Sequence, residues 1–155
     1  MHQSVEEEDP MRDKSEHATT VASPVTVAVG LPGDPPVLLC AQLIYDVADP
    51  YAVRLSLGAG ETGEPVDWFF ARSLLEEGLR RPAGLGNVLV SPPHRCHRDA
   101  VSIVLRSAVG SARIEVSALD TAEFLRRSHE LVPMGREGRH VDIDHALAAL
   151  MNSCE

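Results

Sequence analysis

Apolar residues alternate with small or polar ones in several separate stretches of the chain, the two-residue period of strands with one buried face. Val25, Val27 and Val29 form the first such row, Leu39, Ala41, Leu43 and Tyr45 the second, and Val53, Leu55 and Leu57 the third, with Arg54 and Ser56 turned outward. Residues 66–71 hold the only tryptophan and two of the three phenylalanines. Trp68 and Phe70 share one face there, and bulky aromatics suit a pleated surface, so this stretch is expected as a strand with both rings in the core. A short strand is expected over residues 87–91. Val101, Ile103 and Leu105, then Ala112, Ile114 and Val116, complete a set of about seven, with Arg113 and Glu115 exposed. The connections carry turn chemistry: residues 30–36 are rich in Gly and Pro, Asp46 to Pro50 pairs aspartates with a proline, and Gly110 supplies conformational freedom in a hairpin turn at 108–111.

Three segments change to a helical period. Ser73 with Glu76 three residues on reads as a capping box, Leu74, Leu75 and Leu79 face inward, Arg80 and Arg81 suit a helix C-terminus, and Pro82 stops the helix. Asp120 with Glu123 reads as a second cap, and Leu119 with Phe124 as its hydrophobic staple. Phe124, Leu125, Ser128 and Leu131 run down its buried side to Pro133. A last helix is expected from Asp142 or Asp144, with Ile143, Leu147, Leu150 and Met151 as an amphipathic stripe. Strands are grouped rather than alternating with helices, which favours α+β with antiparallel sheet. Strands followed by a helix, then strands followed by helices, hint at a doubled layout.

Residues 1–22 show neither period and contain an acidic cluster, so they are expected as a disordered tail ahead of one domain at 23–155. The chain of 155 residues carries a net charge of −9, and still −5 (12 basic against 17 acidic groups) once that tail is set aside. An acidic domain is poorly suited to phosphate backbones, which argues against a nucleic-acid partner. Single-strand binding through stacked aromatics is the alternative reading, weakened by an aromatic content of 4%. No apolar run approaches the ~20 residues that span a bilayer, so no membrane insertion and a cytoplasmic location are expected.

Candidate chemistry is sparse. Three scattered cysteines, Cys40, Cys96 and Cys154, form no C-x-x-C pair. His94, Cys96 and His97 have the chemistry of a zinc or activated-thiol site, but no fourth ligand stands at a characteristic spacing, and a solvated loop is the simpler account. Asp46 and Asp49 as paired carboxylates compete with their role as turn formers. No P-loop, G-x-S-x-G or G-x-G-x-x-G is present, so neither an enzyme motif nor a cofactor motif is recognised.

Three blocks, in order, carry a resemblance. They are Tyr45-Asp46-x-Ala48-Asp49-Pro50-Tyr51-Ala52-Val53-Arg54; Trp68-x-Phe70-Ala71-Arg72-x-Leu74-Leu75-x-x-Gly78-Leu79-x-x-Pro82-x-Gly84-x-Gly86; and Phe124-Leu125-Arg126-Arg127-Ser128 with Leu131-Val132-Pro133-x-Gly135. Together they resemble the SsgA-like proteins of sporulating actinomycetes. The chain departs from the family at Ser73, where aspartate is usual, at Ser128, where threonine is usual, and at Met134, where a second proline is usual. The resemblance implies two antiparallel sheets in a whirly-like arrangement, a homo-oligomer that is a trimer, and no cofactor or metal. It also implies a non-enzymatic regulator of sporulation-specific division, localised at the septum, that recruits the tubulin-like division GTPase or SsgA-like paralogues, or controls spore-wall formation. Asp46, Asp49, Tyr51, Arg54, Arg72, Leu147 and Leu150 are the candidate partner-binding residues.

Overall fold

Eight strands hydrogen-bond into one wholly antiparallel sheet: β1 Thr20–Gly30, β2 Val37–Asp46, β3 Ala52–Leu57, β4 Val66–Ala71, β5 Ala83–Leu85, β6 Val88–Ser91, β7 Ala100–Ser107 and β8 Gly110–Ser117. The computed structural model describes residues 19–58, 64–95, 98–140 and 151. Across the sheet the order is β4-β3-β2-β1-β8-β7-β6-β5. The chain therefore makes two four-stranded meanders. The first runs directly into helix α1, Arg72–Gly78, and the second into helix α2, Ala118–Leu131; a 3-10 turn, Glu137–His140, follows. The α+β expectation and its doubled layout hold.

Two separate sheets were expected, and the described residues form one. The meanders meet where the end of β1 lies beside β8, through only three residue pairs: Ala28 with Glu115, Val29 with Ile114 and Gly30 with Arg113. By contrast, β1 pairs with β2 along its length, from Thr20 opposite Asp46 to Val29 opposite Val37. A join this short has no signature of its own in the hydrophobic pattern. Pro24, which has no N–H to donate, falls in the part of β1 that only β2 pairs. β1 also begins earlier than the tail boundary at residue 22 allowed: Thr20 opens the strand and Val21 is buried.

The alternating rows enter the core as expected. Val27, Leu43, Tyr45, Val53, Leu55, Val101, Ile103 and Ile114 are fully buried, and Phe124 and Leu125 of α2 close over them. The eighth strand, β5, was missed. It is three residues long, holds a glycine, and is recognisable only because Ala83, Gly84 and Leu85 pair with Val90, Leu89 and Val88 across a turn at Gly86, whose φ is 64°. Gly78 answers a different need. A Cβ there would stand 2.1 Å from Val90 Cγ1, so α1 reaches β6 only because this residue has no side chain.

Both predicted helix caps were displaced. Ser73 is exposed inside the first turn of α1; Ala71 holds the cap position with no side-chain bond, and Glu76 instead meets His129 of α2 at 3.0 Å. In α2 the cap is Ser117, whose hydroxyl accepts from the Asp120 amide at 3.1 Å, while Leu119 is exposed and staples nothing. In each case the strand passes into the helix with no loop, so the helix starts earlier than the first strong side-chain signal. Trp68 is also less enclosed than expected. Phe70 is buried, but Trp68 is half-buried at the rim of an open hollow of about 500 Å³ shared with Leu57, Leu105, Ala112 and Ile114. Of the expected C-terminal stripe, Met151 is exposed; Ile143, Leu147 and Leu150 lie outside the described residues.

Candidate functional site

The three sequence blocks meet at one buried side chain. Arg72 is the first residue of α1, directly after β4, and its side chain points inward, where it is 2% exposed. Its backbone N–H donates to the Tyr51 carbonyl at 2.7 Å, which ties α1 to the turn between β2 and β3. The guanidinium lies 4.6 Å from the centre of the Tyr45 ring. Nη1 donates to both the carbonyl and the hydroxyl of Ser128 at 3.2 Å, and Nη2 donates to Glu137 Oε2 at 2.6 Å. Tyr45 in turn donates its hydroxyl to the Pro50 carbonyl at 2.8 Å. Each block thus contributes to a single polar network inside the core.

The electrostatics follow from that enclosure. Burial pushes the Tyr45 hydroxyl pKa up, against the opposing pull of the Arg72 charge. The hydrogen bond from Arg72, with help from backbone N–H groups including that of Gly135, holds the Glu137 carboxyl below the usual glutamate value. A buried arginine whose donors meet a carbonyl, a hydroxyl and a carboxylate is a structural tie. With Glu137 in place, Arg72 is therefore held inside the chain rather than presented at the surface.

Three of the other candidates gather outside, on the opposite face of β2, β3 and β4. Asp46, Asp49 and Arg54 line a shallow concavity of about 270 Å³ with Ile44, Ala48, Ala52 and Phe69. Asp46 keeps its turn role, because its Oδ1 accepts from the Ala48 amide at 2.9 Å while its carbonyl accepts from Asp49 N at 2.9 Å. Arg54 reaches Asp67 at 3.4 Å and sits 6.0 Å from the centre of the Phe69 ring. Both groups of the ion pair are substantially solvated, so the pair orients more than it stabilises. Tyr51, 56% exposed, is not part of this concavity; its hydroxyl stands close to Gly138 of the 3-10 turn. Phe69, 61% exposed, was missed as a candidate. Its signal was legible: in a strand where Phe70 is buried, the neighbouring phenylalanine must face outward.

No three His, Cys, Asp or Glu side chains come together as a metal site among the described residues. His94 is described, whereas Cys96 and His97 lie outside the described residues. Leu147 and Leu150 lie outside them as well. Among the described residues no helix is long and apolar enough to cross a membrane.

An antiparallel sheet closed by two helices, with the Tyr45, Arg72 and Ser128 blocks meeting inside it, places the chain with known proteins. Residues 39–137 match the family model described as Streptomyces sporulation and cell division protein, SsgA, and the chain belongs to that family. Among its relatives, the sporulation-specific cell division protein SsgB of Thermobifida fusca is 40% identical over 134 residues, covering 86% of this chain and 96% of that protein. SsgB of Streptomyces coelicolor is 39% identical over 133 residues, with the same coverage of 86% and 96%. The crystal structure of an SsgA-like sporulation-specific cell division protein from Thermobifida fusca superposes with a TM-score of 0.74 at 39% identity, covering 84% of this chain and 95% of that one.

Proposed function

We propose that this protein acts in sporulation-specific cell division as a non-enzymatic factor that positions the septum machinery, recruiting the tubulin-like division GTPase or SsgA-like paralogues at the septum. The observation that carries this reading is the near full-length similarity to proteins named for sporulation-specific division, at about 40% identity over 86% of the chain. The outer face of β2 to β4 supports a recruiting role. It presents Phe69 beside Asp46, Asp49 and Arg54, an exposed aromatic ring rimmed by charge, which is the composition of a protein-contact surface. Assembly as a trimer would present that face three times, raising the effective concentration for a filamentous partner.

The test uses two surface substitutions, Phe69→Ala and Arg54→Glu, with the purified division GTPase in a co-sedimentation assay. Both variants should keep the wild-type melting temperature and lose most of the co-sedimentation; light scattering of the wild type should give three times the chain mass. Full-strength co-sedimentation by both variants would remove the β2 to β4 face from the reading. A wild type that binds neither the GTPase nor a paralogue would remove the recruiting role.

A further inference from the structure

The Arg72 network is built in two parts. On one side everything is fixed within the body of the fold: the Tyr45 ring beneath the guanidinium at 4.6 Å, and Ser128 of α2 taking both contacts from Nη1. On the other side Nη2 points to a single carboxylate, that of Glu137, which belongs to a four-residue 3-10 turn beyond Pro133. The Glu137 side chain is 14% exposed against 3% for Arg72, so the carboxylate stands between the buried cation and water. Its other oxygen accepts from the Gly135 amide at 2.9 Å, a bond within its own segment. Removing the Glu137 side chain therefore leaves the arginine still positioned by Tyr45 and Ser128, with its outward donors unpaired. An unpaired buried guanidinium is costly, and the charge-assisted bond its free Nη2 donates is one a carboxylate oxygen accepts well.

We propose that Arg72, held by Tyr45 and Ser128, is a carboxylate-binding site that the chain closes on itself with Glu137, and that a carboxylate from outside the chain occupies it when Glu137 is withdrawn. The ligand class is a simple carboxylate, whether a small acid, an acidic side chain or a chain terminus. The 3-10 turn is then a clasp, fastened by the same chemistry that the site would use toward an external ligand.

The experiment compares the melting temperature of Glu137→Ala in sodium formate and in equimolar sodium chloride, with the wild type in both salts as the reference for general salt effects. At formate ten times above its dissociation constant, mass action predicts a formate-specific rise of about 3–6 °C in the variant beyond any rise in the wild type. The double variant Arg72→Met with Glu137→Ala should lose that extra rise. If Glu137→Ala is unfolded in chloride, the comparison is made by refolding it, with formate-dependent recovery of the native circular dichroism spectrum as the supporting result. Equal behaviour in the two salts, no recovery in either, or a formate effect that survives the loss of Arg72 overturns the proposal.

Discussion

Replacing Arg72 with alanine separates a structural tie from a recruiting surface. The change removes two hydrogen bonds to Ser128, the contact with the Tyr45 ring and the ion pair to Glu137 in one step. It leaves the Ser128 carbonyl beneath the surface with one partner fewer and the Glu137 carboxylate without its cation. Breaking a buried pair by removing one member costs about 3–5 kcal/mol. At roughly 2–4 °C per kcal/mol for a chain of this size, the melting temperature should fall by about 10 °C. Arg72→Lys keeps the charge but cannot span Ser128 and Glu137 with a planar fork, and should lose about 1–3 kcal/mol. The assay is urea unfolding followed by far-ultraviolet circular dichroism, with the slope checked for constancy so that the midpoint reports stability. An Arg72→Ala protein within about 0.5 kcal/mol of wild type would refute the reasoning and return Arg72 to the surface as a partner contact.

Other expectations follow from the same packing. Gly78→Ala should destabilise by about 1–3 kcal/mol despite alanine's better helix propensity, because α1 must lift from Val90; a neutral result in thermal unfolding would contradict the close approach. Phe69→Ala should change stability by less than about 1 kcal/mol, since the ring is exposed and contributes only a surface cation contact, whereas Phe70→Ala should cost about 3–5 kcal/mol; the two chemical-unfolding midpoints check this. The Glu137 carboxyl is held below the usual glutamate value, so the stability it supplies is present above that value, 4.5, and is lost as pH falls through its lower folded value. Glu137→Gln should therefore flatten the acid limb of the stability curve below about pH 4.5, and an unchanged limb in a pH series would remove Glu137 from it. Trp68, half-buried at its hollow, should emit between the extremes of buried and free tryptophan and be partly quenched by iodide. Complete protection would mean that the hollow is covered in solution.

What the chain determined by itself was the set of faces. Alternation alone placed Val27, Leu43, Tyr45, Leu55, Ile103 and Ile114 inside, because a strand's period of two leaves each residue only one of two sides. The helical period likewise assigned Phe124, Leu125 and Ser128 to the buried side of α2. Those are local properties, readable from neighbours. Tertiary structure decided what depends on distant partners. The two meanders became one sheet through three residue pairs, β5 became a strand only by pairing with β6, and the first turns of both helices were set by the strands running into them. Arg72 shows the difference most plainly: nothing beside it in sequence distinguishes a buried cation from a solvated one. Its burial is stabilised by Tyr45, Ser128 and Glu137, brought to it from 27 residues before and from 56 and 65 residues after. An isolated charge avoids the interior unless such partners converge on it, and only the folded chain brings them together.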